Sequence, residues 1–374
     1  MDKSEIRLSP LSLDDLEGII SVKGRVLHNP FFDPRLEKEI YGWSLQKNPF
    51  RNDNYPLGYT LKQGGSIVGC VVLVPAAIKI GDGVVYACFE EDLMVLPEFR
   101  FHGLKLLNAV WKTSLMPFVI ATTPNKLSFE LEKSLGARTV SFTRARYVKL
   151  LDPINIARKK LPIFKIIFKS FESITEWLLY QPLVLFSNLY LTVMQRLRYG
   201  LFSGEKITTF DKRFDDLYER ISKDYKVSIV RNSAYLNWRY VECPLGEREI
   251  YAISDGGGEL CGYIVLQKER LENGIMVANI LDIFTSRRNV PAIFSLLKYA
   301  ESYARQNGLE TISLIGTFSG IAKVAYAAGF VRNKLRIPTC IFINKDVTTR
   351  EVSNDTRNWY LSSGDGDTAI YSTS

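Results

Sequence analysis

The sequence predicts a mixed α/β protein made of two similar halves that a helical, apolar connector joins. Three observations support this prediction. An ordered set of residues occurs twice, strand-like and helix-like patterns alternate in the same order around both copies, and a stretch between the copies fits neither. We therefore expect one domain over 1–150, a connector over 151–213, a second domain over 214–348 and a C-terminal tail over 349–374.

The repeated set begins with a tryptophan and a proline, continues through glycines that separate two apolar strand-like runs, and reaches an acid in a third run. The matched positions are Trp43 and Trp238, Pro49 and Pro244, Gly64-Gly65 and Gly256-Gly257, Gly69 and Gly262, and Asp92 and Asp282. One match could arise by chance, but five in the same order indicate a duplicated α/β unit. We interpret the two tryptophans as core anchors.

Hydrophobic periodicity assigns the elements of each copy. In the first copy it predicts helices over 12–26, 33–46, 103–115 and 125–135, and strands over 57–63, 67–79, 84–95, 117–122 and 138–149. In the second copy it predicts helices over 232–240, 289–307 and 318–328, and strands over 248–254, 260–267, 276–285, 310–315 and 331–343. Together these elements are typical of two mixed sheets covered by helices.

Composition narrows the class of function. The chain of 374 residues has 48 Lys and Arg against 40 Asp and Glu, a formal charge of +8 that favours anionic partners. Its two histidines lie far apart and its five cysteines form no close pair, so we expect no metal site. The scattered cysteines and the absence of an apolar secretory signal at the N-terminus predict a cytoplasmic location.

The segment 95–105 joins an apolar strand to a helix predicted to begin near Leu104. Amides in the first turn of a helix lack backbone partners and can hold a phosphate. Arg100, His102 and Lys105 add charge or donors around Gly103. These residues predict a pyrophosphate-binding turn.

This turn resembles the acyl-CoA signature of the GNAT superfamily of N-acyltransferases, in which Arg or Gln is followed by two residues, Gly, one residue and then Gly or Ala. Arg100 and Gly103 match, whereas Lys105 replaces the last small residue. The block from Asn125 to Ser128, followed by Gly136-Ala137, is similar to the second signature of that family. The general-acid tyrosine of the family would fall at Glu132, so that role is left unassigned.

The resemblance implies acyl-CoA as co-substrate and roles for individual residues. The backbone at Val95 would pair with pantetheine, Asn125 would lie beside the CoA arm, and pyrophosphate would contact the turn residues Arg100, Phe101, His102, Gly103, Leu104 and Lys105. An acid on the strand would deprotonate the attacking amine. Because side chains alternate, Glu90 and Asp92 should share one face and Glu91 the other. We favour Glu91 over Glu90 as the base.

The second copy has Arg287 and Arg288 at the corresponding turn, but no glycine follows them. We infer that it has lost the phosphate site and supplies acceptor-binding surface, as in tandem proteins of this superfamily with one degenerate domain. The tail is similar to the endings of tandem GNAT-like proteins encoded with bacterial surface-polysaccharide genes. Asp365 and Asp367 are candidates for binding an amino sugar, the alternative being a polar turn, and Arg239 is a further candidate.

One part of the connector has a narrow polar stripe along a helical pattern. Another part, residues 177–195, carries no charged residue. Three interpretations stay open: packing between the domains or onto a second subunit, contact of 158–203 with an anionic membrane face, and a membrane span.

Together these observations predict an acyl-CoA-dependent N-acyltransferase, in the simplest case an N-acetyltransferase, that acts on an amine such as an amino sugar of a surface-polysaccharide precursor. It would work in the cytoplasm or at the inner face of the membrane. Two alternatives are an aminoacyl-tRNA-dependent transferase of the Fem type and an inactive scaffold with the same fold. No motif for nucleic-acid binding is present.

Overall fold

The structure is a computed structural model that describes residues 5–28, 32–111, 116–122, 124–139, 144–152, 189, 193, 202–317, 320–337, 339–343 and 358–366. Most of the predicted connector and Asp367 lie outside these residues. Inside the predicted connector range, Ser203–Ile207 form a strand of the second sheet.

The first half begins with a short strand that the sequence pattern does not reveal, and then follows the predicted order. Its strands are β1 Arg7–Pro10, β2 Gly58–Gln63, β3 Ser66–Ile80, β4 Gly83–Val95, β5 Phe118–Ala121, β6 Arg138–Thr139 and β7 Arg144–Leu150. Its helices are α1 Leu16–Leu27, α2 Pro34–Tyr41, α3 Gly103–Trp111 and α4 Lys126–Ser134.

The second half repeats this order after two strands and one helix that the sequence pattern also left unassigned, namely β8, α5 and β9. Its strands are β8 Ser203–Ile207, β9 Val227–Ile229, β10 Arg248–Ser254, β11 Leu260–Arg270, β12 Met276–Thr285, β13 Thr311–Gly316, β14 Val331–Ile337, β15 Cys340–Ile343 and β16 Trp359–Tyr360. Its helices are α5 Lys212–Ile221, α6 Ser233–Leu236, α7 Val290–Gln306 and α8 Ile321–Ala327.

Short polar side chains set several helix starts. An Asp or Asn before the helix accepts a hydrogen bond from a first-turn amide, which supplies a partner that the helix itself cannot. The capping residues are Asp33, Asn125, Asp211, Asn232 and Asn289. Pro34 and Pro291 sit in the first turns of α2 and α7, where their missing amide costs nothing.

Two mixed sheets hold the described strands. The first runs in the order β1-β2-β3-β4-β5-β15-β6, with β9 paired to β3 and β16 paired to β9. The second runs in the order β14-β7-β13-β12-β11-β10-β8. Helices flank both sheets, and one continuous set of buried apolar side chains extends through the two halves. The predicted fold class, two mixed sheets flanked by helices, is confirmed.

The two sheets exchange strands, and here the sequence interpretation was wrong. The patterns predicted one strand over 138–149 and one over 331–343. Instead, β6 stays in the first sheet while β7 pairs with β13 and β14 in the second. Conversely, β14 stays in the second sheet while β15 pairs with β5 and β6 in the first. Periodicity reports which face of a strand is buried, but not which sheet receives it.

A π-helical turn in each half brings the repeated tryptophans together. One turn spans Gly42–Gln46 and the other Asn237–Val241. The buried indoles of Trp43 and Trp238 stack with their centroids 4.7 Å apart. The interpretation of both residues as core anchors is confirmed, and the core that they anchor is the contact between the halves.

Candidate functional site

A polar cleft opens where the parallel strands β4 and β5 part. The two strands pair only through Cys88 with Val119 and Phe89 with Ile120, after which β5 ends and β4 continues alone along this edge within the described residues. The cleft encloses about 160 Å³. Its lining comes from β4, the end of β5 and the start of α4, and comprises Glu90, Glu91, Asp92, Leu93, Ala121, Pro124, Asn125, Ser128 and Glu132.

A β-bulge in β4 shapes this opening. Val72 of β3 pairs with Glu91 and Cys70 with Met94, so Asp92 and Leu93 together face the single residue between them. Asp92 has φ of 50°, in the left-handed region that few residues other than glycine adopt. The bulge interrupts the alternation of side chains at Asp92 and Leu93. Glu90 and Asp92 contact different helices: Glu90 contacts α3, whereas Asp92 contacts α1 and α2.

Asp92 is bound within the core. Lys23 of α1, with 1% of its surface exposed, donates to the carboxylate of Asp92 at 3.0 Å and also pairs with Glu37 at 2.8 Å. Tyr41 of α2 donates to the same carboxylate at 2.7 Å. Burial by itself lowers the pKa of Lys23, but the two carboxylates outweigh it and raise that pKa. These contacts join the bulge residue Asp92 to α1 and α2.

The two candidate bases occupy different surroundings in the cleft. Glu90 is buried, and its Oε2 accepts a hydrogen bond from Nε1 of Trp111 in α3 at 2.5 Å. Glu91 is also buried and lines the cleft, near the guanidinium of Arg239 from the second half. Burial lowers the pKa of Arg239, whereas Tyr235 and Glu91 raise it, and the net direction is upward.

Glu132 in α4 is the site residue that the sequence interpretation left without a role. It is 1% exposed, and its Oε2 has no hydrogen-bond partner among the described residues. Burial raises its pKa to about 7, an effect that the neighbouring thiol of Cys340 in β15 opposes. A carboxyl group of this kind is partly protonated at neutral pH. The signal was its place in the motif, where the resembling family has a proton donor.

Asn125 lines the cleft as the capping residue of α4. Its Oδ1 accepts from the amide of Ser128 at 2.9 Å, and its amide nitrogen is a possible donor to a ligand. Val95 pairs with Gly69 of β3, and its other edge faces the opening beyond the end of β5. This backbone edge can accept an extended ligand as a strand would, which agrees with the role that the resemblance implies.

The predicted phosphate turn is helical before α3 begins. Residues Pro97–His102 form a 3₁₀-helix that runs directly into α3, and the amide of Gly103 donates to the carbonyl of Arg100. Arg100, Leu104 and Lys105 are exposed and Phe101 is 94% exposed, whereas His102 is half-buried. Lys105 donates to the carbonyl oxygen of Ile6.

The turn fits a pyrophosphate in charge and exposure. A side chain at Gly103 would meet only Val95, with its Cβ 3.5 Å from Cγ2, so the outer side of the turn is open. The amide of Gly103 is already used, however. Binding through that amide requires the 3₁₀ turn to open, while Arg100 and Lys105 can contact the anion through their side chains.

The predicted substrate-binding residues Asp365 and Arg239 lie in the core between the halves. The carboxylate of Asp365 is fully buried and accepts from Arg231 at 2.6 Å. Arg239 is 4% exposed and donates to the carbonyl oxygens of Gly364 and Gly366. Both side chains are used to hold the C-terminal segment, residues 358–366. Within the described ranges, no three or more His, Cys, Asp or Glu side chains are placed so that they could hold a metal ion together.

None of the helices that the structure describes is both long and apolar enough to cross a membrane.

No protein-family model and no curated protein sequence matches the chain. Solved structures do match. A GCN5-related N-acetyltransferase from Anabaena variabilis ATCC 29413 has a TM-score of 0.60 at 11% identity, over 91% of this chain and 73% of that one. A GCN5-related N-acetyltransferase from Kribbella flavida has a TM-score of 0.55 at 13% identity, over 90% and 71%.

The N-myristoyltransferase of Saccharomyces cerevisiae, solved with bound myristoyl-CoA, has a TM-score of 0.51 at 11% identity, over 96% of this chain and 90% of that one. At such identities the likeness concerns the fold. The two mixed sheets, the helices around them and these neighbours agree, and the chain has the GNAT fold.

Proposed function

We propose that the chain is an acyl-CoA-dependent N-acyltransferase, in the simplest case an N-acetyltransferase, whose reaction takes place in the cleft between β4 and β5. The observation that carries this proposal is the cleft itself. Four carboxyl groups line the point where two parallel strands part, beside an exposed backbone edge and a basic turn. Carboxylates at such a place suit a cationic acceptor, which must lose a proton before it can attack.

The residues around the cleft divide into two groups by the part of the co-substrate that they would hold. The edge of β4 near Val95 would pair with the pantetheine arm, and Asn125 would lie beside it. Arg100 and Lys105 would contact the pyrophosphate at the surface. Bound acyl-CoA supplies an activated thioester carbonyl. The chain then has to orient the amine, exclude water and move two protons.

The carboxyl groups account for the two proton transfers. Glu91, as the carboxylate, takes the proton from the acceptor ammonium directly or through one water, and Glu90 stands next to it as the second candidate. Glu132, partly protonated at neutral pH, can give a proton to the departing thiolate. The cleft thus offers a carboxylate, Glu91, as general base and a partly protonated carboxyl group, Glu132, as general acid.

The acceptor class and the setting extend this proposal. An amino sugar on a nucleotide or lipid carrier presents an ammonium group to the acidic cleft, and the resemblance of the tail to proteins of surface-polysaccharide loci supports this class. Residues 1–150 and 214–348 are proposed as tandem domains that exchange β7 and β15. Peripheral contact of 158–203 with the inner face of a membrane, and a homodimer, belong to the same proposal.

Two observations favour an inactive scaffold with the GNAT fold as the second candidate. The amide of Gly103 is used inside a 3₁₀-helix, and Lys105 replaces the small residue of the motif. A chain that has lost its phosphate cradle would keep the fold without binding acyl-CoA.

Calorimetric titration with acetyl-CoA and longer acyl-CoAs at moderate salt decides between these functions. We expect micromolar binding that Gly103→Glu abolishes, because a carboxylate would then face the pyrophosphate. Gly103→Ala is the matched control, since its Cβ has room and its φ is helical. Binding that survives Gly103→Glu would move the site elsewhere. Absence of binding to any acyl-CoA would favour the scaffold or the tRNA-dependent alternative.

A further inference from the structure

The second sheet has an opening of the same kind as the candidate cleft. Strands β12 and β13 pair in parallel through Ile280 with Leu314, and Leu281 then forms a bulge. The C-terminal segment lies in this opening. The amide of Gly364 donates to the carbonyl oxygen of Leu281 at 2.7 Å. The amide of Thr317, just after β13, donates to the carbonyl oxygen of Leu361 in the segment at 2.9 Å. The chain's own backbone thus occupies the second opening as an inserted strand would.

Packing around Gly364 holds the segment tightly. A Cβ at this position would lie 2.1 Å from the hydroxyl of Tyr240 and 3.0 Å from the carbonyl oxygen of Leu281, so only glycine fits. Next to it, Asp365 pairs with the fully buried Arg231, which also pairs with Asp282 of β12 at 3.0 Å.

Arg239 links this segment to the contact between the halves. Its Nε donates to the carbonyl oxygen of Gly364 at 2.7 Å, and a second guanidinium N–H donates to that of Gly366. The guanidinium lies over the stacked rings of Trp43 and Trp238, 5.4 and 5.8 Å from their centroids. A planar group with several fixed donors is suited to hold two carbonyl oxygens and an aromatic face at once.

At Gly366 the segment packs closely against Thr122 of the first half. A Cβ on Gly366 would lie 2.2 Å from Oγ1 of Thr122, the residue directly after β5. Ala121 and Pro124, on either side of this stretch, line the candidate cleft, and Glu91 lies on its opposite wall in β4. Arg239 therefore acts electrostatically on one wall of the cleft and holds the segment that packs against the other.

We propose that Arg239 is a positioning residue for the candidate cleft. By holding Gly364 and Gly366 it keeps the C-terminal segment against Thr122, and so keeps the β5 wall in place opposite Glu91. The second half then contributes to the site through its own inserted segment and without binding a second acyl-CoA. The part of this inference that concerns turnover rests on the proposed function.

Hydrogen exchange of the full chain without ligand tests the positioning directly. We expect Arg239→Met to speed exchange tenfold or more in both 358–366 and 118–122, with Arg239→Lys in between because a single ammonium cannot hold both carbonyl oxygens. Arg248→Met is the matched control, since this partly buried arginine of the same half bonds within its own loop at Cys243 and Gly246. Faster exchange confined to 358–366, or equal effects of Arg248→Met, would overturn the proposal.

Activity supplies a second measurement, with acetyl-CoA as donor and a panel of amino sugars as acceptors. Arg239→Met is expected to lower kcat at least tenfold while the Kd for acetyl-CoA changes less than threefold, and Arg239→Lys should recover part of kcat. A loss of acetyl-CoA affinity as large as the loss of kcat would indicate a general structural role and overturn positioning. If the unmodified protein binds no acetyl-CoA, the proposed function fails, whereas the exchange experiment still decides the role of Arg239. Should Arg239→Met not fold, Arg239→Lys serves for both measurements.

Discussion

Trp43 and Trp238 bind each other reciprocally across the contact between the halves. Nε1 of Trp43 donates to the carbonyl oxygen of Trp238 at 2.7 Å, and Nε1 of Trp238 donates to that of Trp43 at 2.9 Å, while the rings stack. Each indole thus satisfies a buried carbonyl of the other half. The repeated tryptophan turn therefore has a structural role, because its two copies form a self-complementary contact between the halves.

The reciprocal contact predicts coupled stability effects. Trp43→Phe and Trp238→Phe should each lower the free energy of unfolding by about 1 to 3 kcal/mol, since each leaves a buried carbonyl without its donor. The double variant should lose less than the sum, with a coupling energy above about 0.5 kcal/mol. Urea unfolding of the four proteins measures this cycle. A cycle of Trp43→Phe with Ile312→Val in β13 is the control and should be additive; additivity in both cycles would contradict the prediction.

Glu132 predicts a specific pH dependence of stability. Its pKa of about 7 lies above the ordinary 4.5, so the folded state binds this proton more tightly than the unfolded state. The contribution of this proton to the free energy of unfolding is fully present below pH 4.5 and is lost as the pH rises to about 7. The difference in the free energy of unfolding between Glu132→Gln and the parent protein should therefore shift in favour of the variant by on the order of 3 kcal/mol as the pH rises from 4.5 to 8. Denaturant unfolding across this range measures the difference, and a constant difference would refute the assignment.

The two neighbouring acids predict a separation of catalytic roles. Glu91→Gln should lower kcat by about a hundredfold or more, since amide cannot accept the ammonium proton, with the Kd for acetyl-CoA unchanged. Glu90→Gln should have the smaller effect, because Glu90 already accepts from Trp111. Release of CoA with a panel of amines measures turnover, and calorimetry measures binding. The reverse order of effects would assign the base to Glu90.

The buried cluster around Arg231 predicts a large loss of stability. Arg231→Met leaves Asp282 and Asp365 buried without their cation, and we expect a loss of about 3 to 5 kcal/mol in the free energy of unfolding. Arg305→Met is the control, because the Arg305 side chain is more than half exposed and its ion pair with Glu301 should contribute no more than about 1 kcal/mol. Equal effects of the two substitutions would show that the cluster does not stabilise the fold.

Features that depend on local chemistry could be predicted from the sequence alone. Apolar periodicity and the repeat predicted most of the helices and strands and the two mixed sheets, and the family resemblance implied a site at Glu90 and Glu91. These features depend on residues close together in the chain, whose spacing decides which faces are buried.

The remaining features could not be predicted from the sequence, because they depend on contacts between residues far apart in the chain. β7 and β15 exchange sheets, a bulge forms in β4 at Asp92, and burial raises the pKa of Glu132. The C-terminal segment enters the second opening, and Asp365 turns inward to Arg231. Burial and partner choice are set by the packing of distant elements, which no local pattern encodes.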